Sequence, residues 1–223
     1  IAGGIGAASN VASNLVINGG TLRYAGTSTT TDRAFTIGAG GAAIDASGTG
    51  SLTFSTPGVT LAYGTTNQAR SLTLTGSSSA SLVNTFGKVI ANNGSGATSL
   101  TKSGSNTWAL SAANTFTGPT SVSAGTLALT AGSLGSTAIS VSPGATLSVL
   151  TAGNYGTGVT GAGTAGASLS LGAGSVFSMA NDGGAGLLTL GQQDSFVGAG
   201  LTIGSANNAD PRVRMIFDIG SGA

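Results

Sequence analysis

The sequence predicts an all-β chain, best satisfied by a right-handed parallel β-helix (a β-solenoid), with a β-sandwich as the fallback. Three observations carry this reading. Apolar residues alternate with small polar ones over short stretches, as in Ser71, Leu72, Thr73, Leu74 and Thr75, the period of a half-buried strand. Glycine supplies 40 of the 223 residues and clusters between those stretches, where turns need it. Apolar residues make up 40% of the chain but aromatics only 5%. The core is therefore thin and aliphatic. A sandwich needs larger side chains to fill the gap between two sheets, whereas small ones suit a solenoid, whose coils pack mainly on their neighbours.

Along the chain, alternating stretches fall at 15–17, 21–24, 51–54, 59–63, 71–75, 126–129, 139–141, 145–149 and 167–171. Turn clusters separate them at 18–20, 38–41, 123–125, 142–144 and 172–174. The spacing predicts on the order of twenty short strands. At three strands per coil, this makes about six or seven coils. No long helix is expected, because Glu is absent and Gly occurs throughout. Residues 1–97 carry long Thr- and Gly-rich connections, 98–150 form the most regular block, and within 151–200 the stretch 152–166 reads as an excursion. No charge run or Pro-rich linker marks a boundary, so residues 1–223 are expected to form a single domain.

Absences narrow the chemistry. There is no His and no Cys, which excludes Ser-His-Asp and Cys-His nucleophiles, Cys/His zinc sites and disulfides. A net charge of +1 offers nothing to nucleic acid or an anionic membrane. No apolar run approaches the ~18 residues of a transmembrane helix. With no group whose ordinary pKa lies between about 5 and 8, stability is expected to be flat from about pH 5 to 9 and indifferent to thiols.

Residues 99–129 read SLTKSGSNTWALSAANTFTGPTSVSAGTLAL. This block resembles the autotransporter-associated β-strand repeat, whose pattern is approximately LTKxGxGTLxLSGxNTYTGxTxVxxGTLxL. The departures are Asn106 for a Gly, Trp108 and Ala109 in the first strand, Ala112 and Ala113, Phe116 for Tyr, and Pro119 for Gly. All conserve size and polarity closely enough to leave the fold reading intact. Residues 132–136 and 139–149 resemble the segment that commonly follows the repeat, and 214–222 a strand near the end of such arrays. The resemblance implies a secreted or surface-displayed bacterial β-helix whose repeat is structural and carries no catalytic residues.

Candidate sites are few. Asp32, Asp45, Asp182, Asp194, Asp210 and Asp218 are the only carboxylates, and so the only acids able to act as catalysts or calcium ligands. Turn positions account for Asp32 beside Arg33 and for Asp210 before Pro211 and Arg212, and a solvent face accounts for Asp218 near Arg214. Nothing locates a nucleophile, a base and a cleft together. No P-loop and no calcium-binding nonapeptide occurs. The reading is therefore an extracellular structural or adhesive protein without cofactor, metal or enzymatic activity. A carbohydrate-active β-helix, a polysaccharide lyase or hydrolase, is the alternative. Thr73 and Thr75 suggest an ordered hydroxyl array of the ice-binding type, for which strand propensity is the ordinary explanation. Trp108, Phe54, Phe86, Phe116, Phe177 and Phe217 line a sugar-binding strip if exposed, or stack inside. Asn84, Asn92, Asn93, Asn106 and Asn114 suit an internal amide ladder or corner positions.

Both ends read as array interior, and solenoid ends need covering. The chain is therefore expected either to be a fragment of a longer passenger or to join copies of itself head to tail, a contact that propagates as a filament. Assembly contacts are expected at Ile1, Ile5, Val213, Met215, Phe217 and Ile219. Surface glycans are a further expected class of partner.

Overall fold

The computed structural model describes residues 9–56, 58–130, 134, 138–149, 169–179, 201–203 and 214–217. The first coil carries β1 (Val16–Ile17), β2 (Gly20–Tyr24) and β3 (Thr29–Thr31). The second carries β4 (Thr36–Ile37), β5 (Ala42–Ala46) and β6 (Leu52–Phe54), and the third β7 (Ala62–Tyr63), β8 (Arg70–Thr75) and β9 (Val83–Phe86). Later coils carry two strands each. These are β10 (Thr98–Lys102) with β11 (Thr107–Leu110), then β12 (Thr120–Val122) with β13 (Thr126–Leu129). They continue as β14 (Ile139–Val141) with β15 (Thr146–Val149), and β16 (Leu169–Leu171) with β17 (Val176–Met179). The last are β18 (Leu201–Ile203) and β19 (Arg214–Phe217).

Each strand pairs in parallel with its counterparts in the adjacent coils. The result is two sheets of eight strands and a third of three, β1–β4–β7. The chain is a parallel β-solenoid. Among the described residues it has eight coils, more than the six or seven expected, because only the first three have a strand on the third side. Between β11 and β12 that side is made without ladder pairing. Ala112, Asn114 and Phe116 are buried there in alternation, and the Thr115 N–H reaches the Ile90 carbonyl at 2.9 Å. A turn takes 20 residues from Leu100 to Thr120 and 19 from Thr120 to Ile139. It widens to 30 between Ile139 and Leu169. Within the two long sheets the tightest turns thus fall in the block that the sequence marks as most regular.

Alternation places one residue in two inside. Leu22, Ile44, Leu74, Lys102, Val122, Val141 and Leu171 align in one column of the first long sheet. On the second, Asn84, Trp108, Leu127, Leu147 and Phe177 align likewise. Leu100, Leu110, Val122, Leu127 and Leu129 are all buried. Phe54 and Phe86 stack one coil apart with ring centroids 5.5 Å apart, and Phe35 joins them edge-on at 5.9 and 6.3 Å. Trp108, Phe116 and Phe177 are also buried. These aromatics fill the core and form no exposed strip; the side chain of Phe217 lies outside the described residues.

Corners decide how closely coils stack. Gly104 and Gly125 adopt φ of +70° and +64°, a conformation costly for residues with a Cβ. A Cβ on Gly104 would lie 2.3 Å from the Gly76 carbonyl oxygen, and one on Gly125 would lie 2.5 Å from that of Asn106. Gly125→Ala is therefore expected to cost roughly 2 kcal/mol, read as a lowered urea midpoint. An unchanged midpoint would refute this account of the corner.

Candidate functional site

The outer face of the first long sheet is built from the same alternation that builds the core. Thr21, Ala43, Thr73, Thr101, Ser121, Ser140 and Ser170 align as its outward column. All of them are exposed or half-buried. A second column runs beside it two residues on, through Arg23, Asp45, Thr75, Ser103, Ser123 and Ser142. Its only charges are Arg23 and Asp45, whose Nε and Oδ2 lie 3.7 Å apart. From the third coil to the sixth both columns carry hydroxyls alone. On the second long sheet the corresponding column is Thr30, Thr53, Thr85, Ala109, Ala128 and Ser148, of which Ala109, Ala128 and Ser148 are buried.

Buried polar groups tie the coils together. Asn84 accepts from the Leu52 N–H at 2.9 Å and donates to the Thr107 carbonyl at 3.0 Å, bridging the second and fourth coils through the third. Asn106 donates to the Ala46 and Thr75 carbonyls at 3.0 and 3.2 Å. Asn114 accepts from the Ile90 N–H at 2.9 Å, and Asn93 donates to the Thr65 and Gln68 carbonyls at 2.7 and 3.1 Å. These amides, with Asn92, hydrogen-bond to backbone or to hydroxyls and do not stack in a ladder. Asn84→Ala strands one buried donor and one buried acceptor, and is expected to cost about 2 kcal/mol. Amide exchange at Leu52 should accelerate with it; protection equal to wild type there would overturn the bridge.

Lys102 occupies an aliphatic column between Leu74 and Val122. It is fully buried. Its Nζ donates to the carbonyls of Ser103, Gly104 and Ala124 at 2.7, 2.8 and 3.0 Å. Burial pushes the ammonium down from 10.5 to about 8. Lys88, also buried, donates to Thr56 Oγ1; burial lowers its pKa and the charge of Asp32 opposes the shift. The spacing Leu100, Thr101, Lys102 already places Lys102 on the core side, a signal that the search for acids passes over.

Of the six acids, Asp182, Asp194, Asp210 and Asp218 lie outside the described residues. Asp32, just after β3, accepts from Asn10 Nδ2 at 2.9 Å, while Asp45 on β5 faces Arg23 and Ser47. The structure does not bring these two together. Among the described residues no three His, Cys, Asp or Glu side chains gather where a metal would sit. No helix among them is long and apolar enough to cross a membrane.

The family model described as passenger-associated-transport-repeat matches residues 100–129, from β10 through β13. Over 168 residues the chain is 41% identical to a protein of Brucella suis biovar 1 (strain 1330) called Adhesin BmaC autotransporter. The chain carries an autotransporter passenger repeat. That alignment covers 73% of the passenger-repeat chain and 5% of the Brucella protein, so the chain spans about a twentieth of its relative's length. No solved structure matches it. The passenger-repeat chain is a secreted or cell-surface bacterial protein. The matched repeat coincides with the narrowest turns of the two long sheets and with the cage around Lys102.

Proposed function

We propose that this passenger-repeat chain is a structural and adhesive segment of a bacterial surface protein. On this reading it acts without catalysis, as a solenoid stalk presenting its outer sheet faces to a surface. The observation that carries the reading is the 41% identity to an autotransporter named as an adhesin, extending over 73% of this chain. The solenoid supports it, because a stack of coils supplies a long regular exterior and a core with no cleft to build. Inert beads coated with the purified chain should adhere to host cells or to abiotic surfaces above beads coated with a non-adhesive protein. Adhesion no greater than that control would overturn the proposal. Turnover of a polysaccharide panel, abolished by Asp45→Ala, would favour the carbohydrate-active alternative.

Copies of the chain are proposed to meet head to tail as a homo-oligomer, with residues 1–223 forming one solenoid domain. Met215 and Phe217 belong to β19, at one edge of its sheet. That edge is a template for a further strand. The other expected contacts, Ile1, Ile5, Val213 and Ile219, lie outside the described residues. A sizing measurement showing a dilute, stable monomer would remove the filament. Surface glycans are proposed as the adhesive partner.

A further inference from the structure

We propose that the outer face of the first long sheet, across β8, β10, β12 and β14, binds the crystalline surface of a neutral polysaccharide. The inference deepens the adhesive reading and rests on it. Four successive coils contribute a pair of outward hydroxyls each: Thr73 with Thr75, Thr101 with Ser103, Ser121 with Ser123, and Ser140 with Ser142. Neighbouring hydroxyls along a column are ~4.8 Å apart and the two columns ~6.6 Å apart, the strand separation and twice the rise per residue. The result is a grid of eight hydroxyl groups, regular in two directions.

Four properties of the grid select its occupant. All eight residues are exposed or half-buried. Ser123 Oγ donates to the Lys102 carbonyl at 3.0 Å, and among the described residues the other seven hydroxyls have no protein partner. They are therefore free to hydrogen-bond outward, and each can donate and accept, as the hydroxyls of a sugar do. No charged side chain stands on the grid; Lys102 lies beneath it, and Arg23 and Asp45 belong to the first two coils. An acidic or basic polymer finds no complement there. No large side chain projects from it, so a flat surface can touch all four coils at once, and the short stiff Thr side chains lose little entropy on being held. A single disordered sugar chain would engage one column. Packed parallel chains repeat in two directions and engage both.

Each hydrogen bond is worth little in water, and the binding comes from their number and simultaneity. The test is depletion of the purified 223-residue chain from solution by microcrystalline cellulose and by crystalline chitin, at low and at molar salt. Its variant carries Thr73→Val, Thr101→Val, Ser121→Ala and Ser140→Ala, changes that keep volume and leave the core untouched. Thr53→Val with Thr85→Val, on the other long sheet, is the control. The expected result is salt-insensitive retention of wild type and control, with affinity at least about tenfold lower for the quadruple variant at unchanged circular dichroism. Several results would overturn the inference: no retention of wild type, equal retention of the quadruple variant, or retention abolished by salt. So would arrest of ice growth without polysaccharide binding, which assigns the grid to ordered water. Bead adhesion that survives in the quadruple variant would leave the adhesive reading standing and remove the grid alone.

Discussion

Leu127→Asp is expected to unfold the middle of the solenoid, whereas Thr126→Asp, one residue away, leaves it standing. Leu127 is fully buried, in register between Trp108 and Leu147. A carboxylate there has an indole on one side, an isobutyl group on the other and no cation in the column. The loss is expected to reach about 4 kcal/mol or more. Thr126 is half-buried and points the other way, so its replacement should cost only about 1 kcal/mol. Urea melts of both variants check the pair. Equal losses would place the strand in the wrong register.

Lys102→Ala should rank next, at about 4 kcal/mol, since it empties a core position and leaves three half-buried carbonyls without their donor. Lys102→Met is the more informative variant. In the wild type, burial holds the folded-state pKa at about 8 against 10.5 in the unfolded chain. Between those values the unfolded chain binds more protons, so stability rises with pH across that window and is flat below it. The rise should be on the order of 2 kcal/mol after allowing for solvent screening. Lys102→Met keeps the volume and removes the charge, so it should remove this lysine's share of the rise and leave that of Lys88, whose pKa burial also lowers. A rise undiminished in Lys102→Met would locate its source elsewhere. The flat range expected from the absence of His therefore ends near pH 8, where this lysine begins to lose its proton.

Which features the sequence discloses follows from which forces are local. Leu72 and Leu74 alternate with Thr73 and Thr75, and a period of two states both strand and facing, so the inward residues of the regular block were legible. The number of coils was not. Residues 111–119 carry the same alternation as a strand, with Ala112, Asn114 and Phe116 inside, yet make no ladder; only the register of neighbouring coils decides that. The asparagines were legible as a group, as a ladder or as corner residues, and their partners were not. An amide stack and an amide bridge to backbone use the same residue type, and Asn84 reaches groups in the second and fourth coils that no local pattern connects. The hydroxyl grid was visible at Thr73 and Thr75 as a strand motif. Its extent to Ser142 depends on turns of 28, 20 and 19 residues, which place one pair above the next.

The direction of the ladder bonds has a mechanical consequence. Every inner strand of the long sheets bonds to the coil before and the coil after, so tension applied to the two ends of the stack pulls along the bonds and is expected to open coils in sequence. Each 20-residue turn, such as that from Leu100 to Thr120, pays out about 70 Å of extended chain as it opens. Asn84 and Asn106 span two interfaces, which joins the second, third and fourth coils into one yielding unit. Under steady drag the molecule is expected to lengthen in steps, with those three coils yielding together.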